Sequence, residues 1–199
     1  NTIDACLSPE LLNLYPAENK IIVIIDVFRA GSSICCALEN NVLFVKTVGS
    51  IEEACKLKVK GYIIAGERDG YKLENFDMGN SPADFLKPEL KNSQLVISTT
   101  NGTQAVEAAK KLGNSNLIII GCFLNFKALM QFIINKKMDV LVLCAGWKNR
   151  ISIEDVFFAG KMIEYLTTHS NYTKNSDAAA IASSVYLQGK NNSYQYFLD

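Results

Sequence analysis

Residues Ile21-Ile22-Val23-Ile24-Ile25 form an unbroken β-branched run that ends on Asp26, and Arg29 follows three positions later. A run of this kind reads as a strand buried on both faces, the situation of a parallel sheet covered by helices. In such sheets ligands bind at the carboxyl ends of the strands. Asp26 and Arg29 therefore stand where chemistry takes place. An ionised Asp beside a buried strand needs a compensating cation, a part that Arg29 or a metal ion can play. At this point an Asp that merely caps the following helix remains an equal alternative.

The rest of the chain repeats the pattern. Strand-like segments at 21–27, 42–48, 62–65, 95–98, 117–120 and 140–144 alternate with helix-like ones at 32–39, at 51–58 behind the cap Ser50, and from about Thr103, Asn125 and Ile153. The alternation predicts an α/β fold with a mostly parallel, helix-covered sheet of about six strands joined by right-handed crossovers. Residues 1–168 are expected to form this main domain. Beyond His169 the sequence turns rich in Asn, Ser and Lys, with one short helix at about 177–187. Residues 169–199 are read as a small C-terminal appendage, the start of a truncated second subdomain.

Charge narrows the partners. Twenty Lys and Arg balance twenty Asp and Glu, so nothing favours nucleic acid or an anionic membrane, and a small molecule is the expected partner. No apolar run reaches membrane-spanning length, and the amino terminus lacks the features of a signal peptide. Six cysteines without paired metal-site spacing suit buried thiols in a reducing cytoplasm. A homo-oligomer is compatible with all of this.

Four loops at strand ends carry the polar and glycine residues: 26–33, 66–81, 99–103 and 146–155. One crevice can collect them. Thr99-Thr100-Asn101-Gly102-Thr103 and Gly31-Ser32-Ser33 both open helices, offering hydroxyls and free N–H groups to an anion. With Arg29 and Arg68 they suit phosphate or carboxylate recognition. The acids on these loops are Asp26, Glu67, Asp77, Glu154 and Asp155. One or two carboxylates suffice for magnesium when water and phosphate complete the shell. Glu154 and Asp155 also suit the first turn of a helix without any function.

Two other readings stay open. Cys144 lies between a strand and a helix and precedes Arg150 at the spacing of cysteine-dependent phosphatases, although Trp147 and Lys148 replace the small residues of such a phosphate cradle. A non-catalytic small-anion-binding α/β module would use the same helix N-termini.

Taken in order, Ile25-Asp26-Val27-Phe28-Arg29-Ala30, Ala65-Gly66-Glu67-Arg68, Phe76-Asp77-Met78-Gly79-Asn80-Ser81-Pro82, Thr99-Thr100-Asn101-Gly102-Thr103, Gly121-Cys122-Phe123-Leu124-Asn125 and Cys144-Ala145-Gly146 through Glu154-Asp155 resemble the 2-phosphosulfolactate phosphatase family of coenzyme M biosynthesis. The resemblance runs from about residue 20 to residue 160. It implies a magnesium-dependent hydrolase acting on phosphate esters of 2-hydroxy acids, with 2-phosphosulfolactate giving sulfolactate and phosphate, on a family-specific topology. On this reading Asp26, Glu67 and Glu154 are catalytic. Arg29, Ser32, Arg68, Asn80, Ser81, Thr100, Asn101, Gly102 and Thr103 bind substrate, and Asp26 and Asp77 hold Mg2+. Asp26 suits a ligand, a base or a nucleophile. The ligand role is favoured, since nothing independent calls for a covalent intermediate. Gly31 stands where the family commonly has Thr, which removes one hydroxyl from the first loop.

Overall fold

The computed structural model describes residues 1–16, 18–68, 70–113 and 115–198. The chain divides into two compact units, one made of Asn1–Val27 with Ala105–Asp199 and the other of Phe28–Gln104. The fold is α/β with mostly parallel strands, as expected, and the strands are divided between two sheets, one in each unit. The expected boundary at 168/169 is replaced, because the C-terminal residues belong to the first unit.

In unit one, β1 (Thr2–Cys6), β2 (Lys20–Ile25), β7 (Leu117–Gly121), β8 (Asp139–Cys144) and β9 (Thr173–Lys174) form a sheet in the order β7-β2-β8-β1-β9. Every pairing in it is parallel. The apolar run is β2, which lies between β7 and β8 with Ile25 opposite Gly121 and Cys144. Its side chains serve two cores. Ile21, Val23 and Ile25 pack with Val142, Phe158, Met162 and Ile163 on one face, while Ile22 and Ile24 pack with Leu141, Leu143, Ala105 and Ala109 on the other. Residues 21–25 are at most 2 % exposed, and burial of each such side chain contributes about 1.5–3 kcal/mol. This double burial is why the run shows no polar alternation.

Helices cover the sheet. These are α4 (Phe126–Lys136), α5 (Ile153–His169), α6 (Asp177–Gly189) and the short α7 (Ser193–Leu198), while α3 (Asn101–Lys111) spans the sequence boundary between the units and gives Ala105 and Ala109 to the second core. Residues after His169 are not an appendage. They supply β9 at the sheet edge beside β1, and α6 packs along α5 so closely that a Cβ on Gly160 would overlap the Ala182 carbonyl.

Unit two contains β3 (Phe44–Val48), β4 (Ile63–Arg68), β5 (Tyr71–Lys72) and β6 (Gln94–Ser98) in the order β3-β6-β4-β5. The β3–β6 and β4–β6 pairs are parallel, and β5 returns antiparallel to β4. Helices α1 (Ser32–Glu39) and α2 (Ile51–Lys58) complete it, and the expected cap holds, with Ser50 Oγ accepting the Glu53 N–H at 3.1 Å. Val48, Ala54, Ile64, Phe76 and Val96 form its core. After β5 the chain returns along β4 through Met78 and Asp77. The Gly66 N–H donates to Met78 O at 3.1 Å, and the Asp77 N–H donates to Ile64 O at 3.0 Å.

Candidate functional site

The candidate residues fall into two groups. Asp26 and Glu154 belong to unit one, and the remainder belong to unit two.

In unit one the group forms where β2 and β8 end. The Ala145 N–H donates to Ile25 O at 2.7 Å, which carries the pairing one residue past β8. Beyond it, the buried carboxylate of Asp155 accepts the Val27 N–H at 2.9 Å through Oδ1 and the Gly146 N–H at 3.0 Å through Oδ2. One side chain at the start of α5 thereby fixes the backbone on either side of the strand ends and flanks Asp26. Gly146 has a φ of +65°, and a Cβ there would overlap the Arg150 carbonyl, so only glycine fits this turn.

Burial pushes the Asp155 carboxyl up to about 8. The carboxylates of Asp26 and Glu154 add to the rise, and the N–H bonds from Val27 and Gly146 oppose it. A divalent cation would offset this negative field, and carboxylate oxygens are the donors magnesium prefers. Among the described residues no three or more His, Cys, Asp or Glu gather into a metal-holding group.

Of the two adjacent acids Glu154 and Asp155, only Glu154 is expected from the sequence to be catalytic. Asp155 lies on the α5 stripe formed with Ala159, Met162 and Leu166, all of which are buried. An acid at a core position of an amphipathic helix was the available signal.

In unit two, Glu67 is the hub. One of its oxygens pairs with Arg29 Nη2, and the other accepts the Asn80 N–H at 2.8 Å. The Asn80 carbonyl accepts the Ser33 hydroxyl at 2.9 Å. Arg68 folds back, donating to its neighbour's carbonyl, Glu67 O, at 2.9 Å and to Ser98 Oγ at 3.3 Å. Arg29, Glu67, Arg68 and Asn80 thus lie in one hydrogen-bonded group, which also takes in Ser33 and Ser98. Among the described residues, two buried side-chain oxygens, Asn80 Oδ1 and Thr103 Oγ1, find no hydrogen-bond partner. Thr100, Asn101 and Gly102 stand at the opening of α3, where Thr100 O accepts the Gln104 N–H at 3.1 Å. Ser32 opens α1, and Ser81 precedes the 3-10 turn Pro82–Leu86. Asp69 lies outside the described residues.

The metal-ligand role expected for Asp77 does not fit this geometry. Its Oδ2 accepts the Ile64 N–H at 2.9 Å, and its Oδ1 pairs with Lys58 Nζ at 2.6 Å. Partial burial would raise its carboxyl, but the Ile64 N–H and Lys58 outweigh that and hold it below the ordinary value. Asp77 ties the returning loop to β4.

The cysteine reading fails on two counts. Cys144 is fully buried, and desolvation, followed by Asp155, Cys6 and Glu154, raises its thiol well above the ordinary value. Such a thiol stays protonated and inert. The segment before Arg150 is a two-residue hairpin turn, not a cradle. Lys148 and Asn149 are left-handed, and the Trp147 and Arg150 N–H groups donate to each other's carbonyls at 2.9 and 3.0 Å.

Among the described residues no helix is long and apolar enough to cross a membrane. The family model for 2-phosphosulpholactate phosphatase matches residues 6–199. A probable 2-phosphosulfolactate phosphatase of Thermotoga petrophila is 40% identical over 151 residues, 76% of this chain and 64% of that protein. Proteins of the same name from Caldanaerobacter subterraneus subsp. tengcongensis and Clostridium acetobutylicum are 33% and 36% identical, over 89% and 92% of this chain and 73% and 78% of theirs. The chain therefore spans less than two thirds of the Thermotoga relative's length. With the match covering all but its first five residues, the chain belongs to the 2-phosphosulpholactate phosphatase family.

Proposed function

We propose that this chain hydrolyses phosphate monoesters of 2-hydroxy acids with magnesium, taking a 2-phosphosulfolactate-like ester to sulfolactate and inorganic phosphate. The names of the family and of its relatives support the substrate class. One structural observation carries the reading. Asn80 Oδ1 and Thr103 Oγ1 are buried with no hydrogen-bond partner among the described residues, and both belong to the set expected to bind substrate. Buried polar atoms in native proteins nearly always have a partner, and a polar ligand would supply it.

The residues divide the work by chemistry. Asp26 would hold magnesium through carboxylate oxygen, and the ion when bound neutralises phosphoryl charge and acidifies water. Arg29 and Arg68 are the cations for anionic groups of the substrate. Both Glu67 oxygens are engaged by Arg29 and the Asn80 N–H, which suits it to orienting Arg29 rather than to moving a proton. Glu154 is the acid assigned to proton handling. In the reaction the water oxygen bonds to phosphorus and the ester P–O bond breaks. The water's proton ends on the departing alkoxide oxygen. Coenzyme M biosynthesis in the cytoplasm is the setting this activity would serve.

Release of inorganic phosphate from 2-phosphosulfolactate and a panel of 2-hydroxy-acid phosphates, with magnesium and with EDTA, tests the proposal. Turnover in magnesium alone is expected. Binding of the esters without release of phosphate would overturn it in favour of a non-catalytic anion-binding module.

A further inference from the structure

A cavity of about 220 Å³ opens within unit one, walled by the C-terminal half of α5, the end of α6 and the start of α4. The phosphatase reading leaves it unused. Its walls combine cations with ring faces. Lys161 Nζ sits 4.6 Å from the Phe126 ring centroid and 5.3 Å from that of Phe123. Tyr165 and His169 stack at 4.4 Å with 16° between their planes, and Phe126 meets Tyr165 edge-on at 5.4 Å. Lys190 stands at the rim. The one acid in the wall, Glu164, is already engaged by Lys174 at 2.7 Å and by the Ser183 hydroxyl.

We propose that this cavity binds a small aromatic monocarboxylate. Flat apolar faces suit a ring, and Lys161, held over Phe126 rather than swinging in solvent, is pre-organised for the carboxylate. The wall offers neither an arginine fork nor a row of backbone N–H groups, the usual devices for phosphate.

The chain has a single histidine, His169, so its imidazole proton resonance reports occupancy of this cavity and of no other. The experiment titrates the full chain with sodium benzoate, with neutral benzamide and with inorganic phosphate, following that resonance by NMR. A saturable shift with benzoate is expected, with benzamide and phosphate about ten-fold weaker or more, as loss of a charge-assisted contact dictates. Lys161→Gln should weaken benzoate about ten-fold while phosphate release from 2-phosphosulfolactate is unchanged. Should that variant fail to fold, Lys190→Gln at the exposed rim decides, with about three-fold weakening expected. An unmoved His169 resonance overturns the proposal. So does equal binding of benzamide or phosphate, or wild-type affinity in both variants.

Discussion

Asp155 Oδ1 accepts the Val27 N–H at 2.9 Å across 128 positions of sequence, which joins the third residue of α5 to the backbone just past the end of β2. Asp26 sits directly before that N–H. Asp155→Asn keeps one acceptor oxygen but turns an amide N–H2 toward the second backbone donor. The expected loss is about 1–3 kcal/mol of stability, read by urea denaturation, with a fall in turnover as Asp26 loses its fixed backbone. Unchanged stability would remove Asp155 from this account.

The same group sets a pH dependence. Its folded value, about 8, lies above the ordinary carboxylate value, so the folded state binds the proton more tightly than the unfolded chain. Its contribution to stability is full below about pH 4 and is lost as pH rises toward 8. In EDTA, the stability difference between wild type and Asp155→Asn should therefore shrink across that window. A difference that grows with pH would show the sign to be wrong.

Asp26→Asn is expected to leave the fold and melting temperature nearly unchanged while reducing phosphate release by about 10³-fold or more, since an amide is a poor magnesium ligand. EDTA should reproduce the loss in wild type, and added magnesium should restore it. Turnover that persists in EDTA argues against the metal.

Cys144→Ser should retain substantial turnover, and iodoacetamide should leave the native enzyme active, because the thiol is buried and protonated. Destabilisation of about 1–3 kcal/mol is expected from placing a hydroxyl in an apolar site. Loss of activity on alkylation of folded protein would reinstate the cysteine mechanism.

Asp77→Asn and Glu67→Gln separate structure from chemistry. The first should lower stability by about 1 kcal/mol, discounted for the exposure of the Lys58 pair, and keep turnover. The second should raise KM about ten-fold or more, through an Arg29 no longer held in place, with a smaller effect on kcat. An Asp77→Asn protein that folds but loses its magnesium response would restore Asp77 as a ligand.

The six strands legible in the sequence all exist, because each is an apolar run, and all but β4 have helical sequence after them. What stayed hidden was which strands share a sheet. β1 escaped notice because Thr2-Ile3-Asp4-Ala5-Cys6 is short and carries an acid. That acid is buried, satisfied by the Ser176 hydroxyl and the Ala5 N–H, a partnership 172 residues distant. Strands β5 and β9 have two residues each, too few for a periodic signal. In the site, the grouping of Arg29, Glu67, Arg68 and Asn80 followed from loops at strand ends, but the fate of Asp77 did not. Whether an acid faces solvent, a metal or Lys58 depends on how its loop returns, and local sequence does not encode that return.

The discontinuity of unit one imposes an order on synthesis. Residues 28–104 are contiguous, so every strand partner within unit two has emerged by the time Gln104 is made. Strand β2 is made early, yet its neighbours are β7 and β8 at 117–121 and 139–144. At roughly 5–20 residues per second, several seconds pass before both exist. During that time Ile21-Ile22-Val23-Ile24-Ile25 waits unpaired on the ribosome, the kind of strand edge that chaperones shield and aggregates recruit.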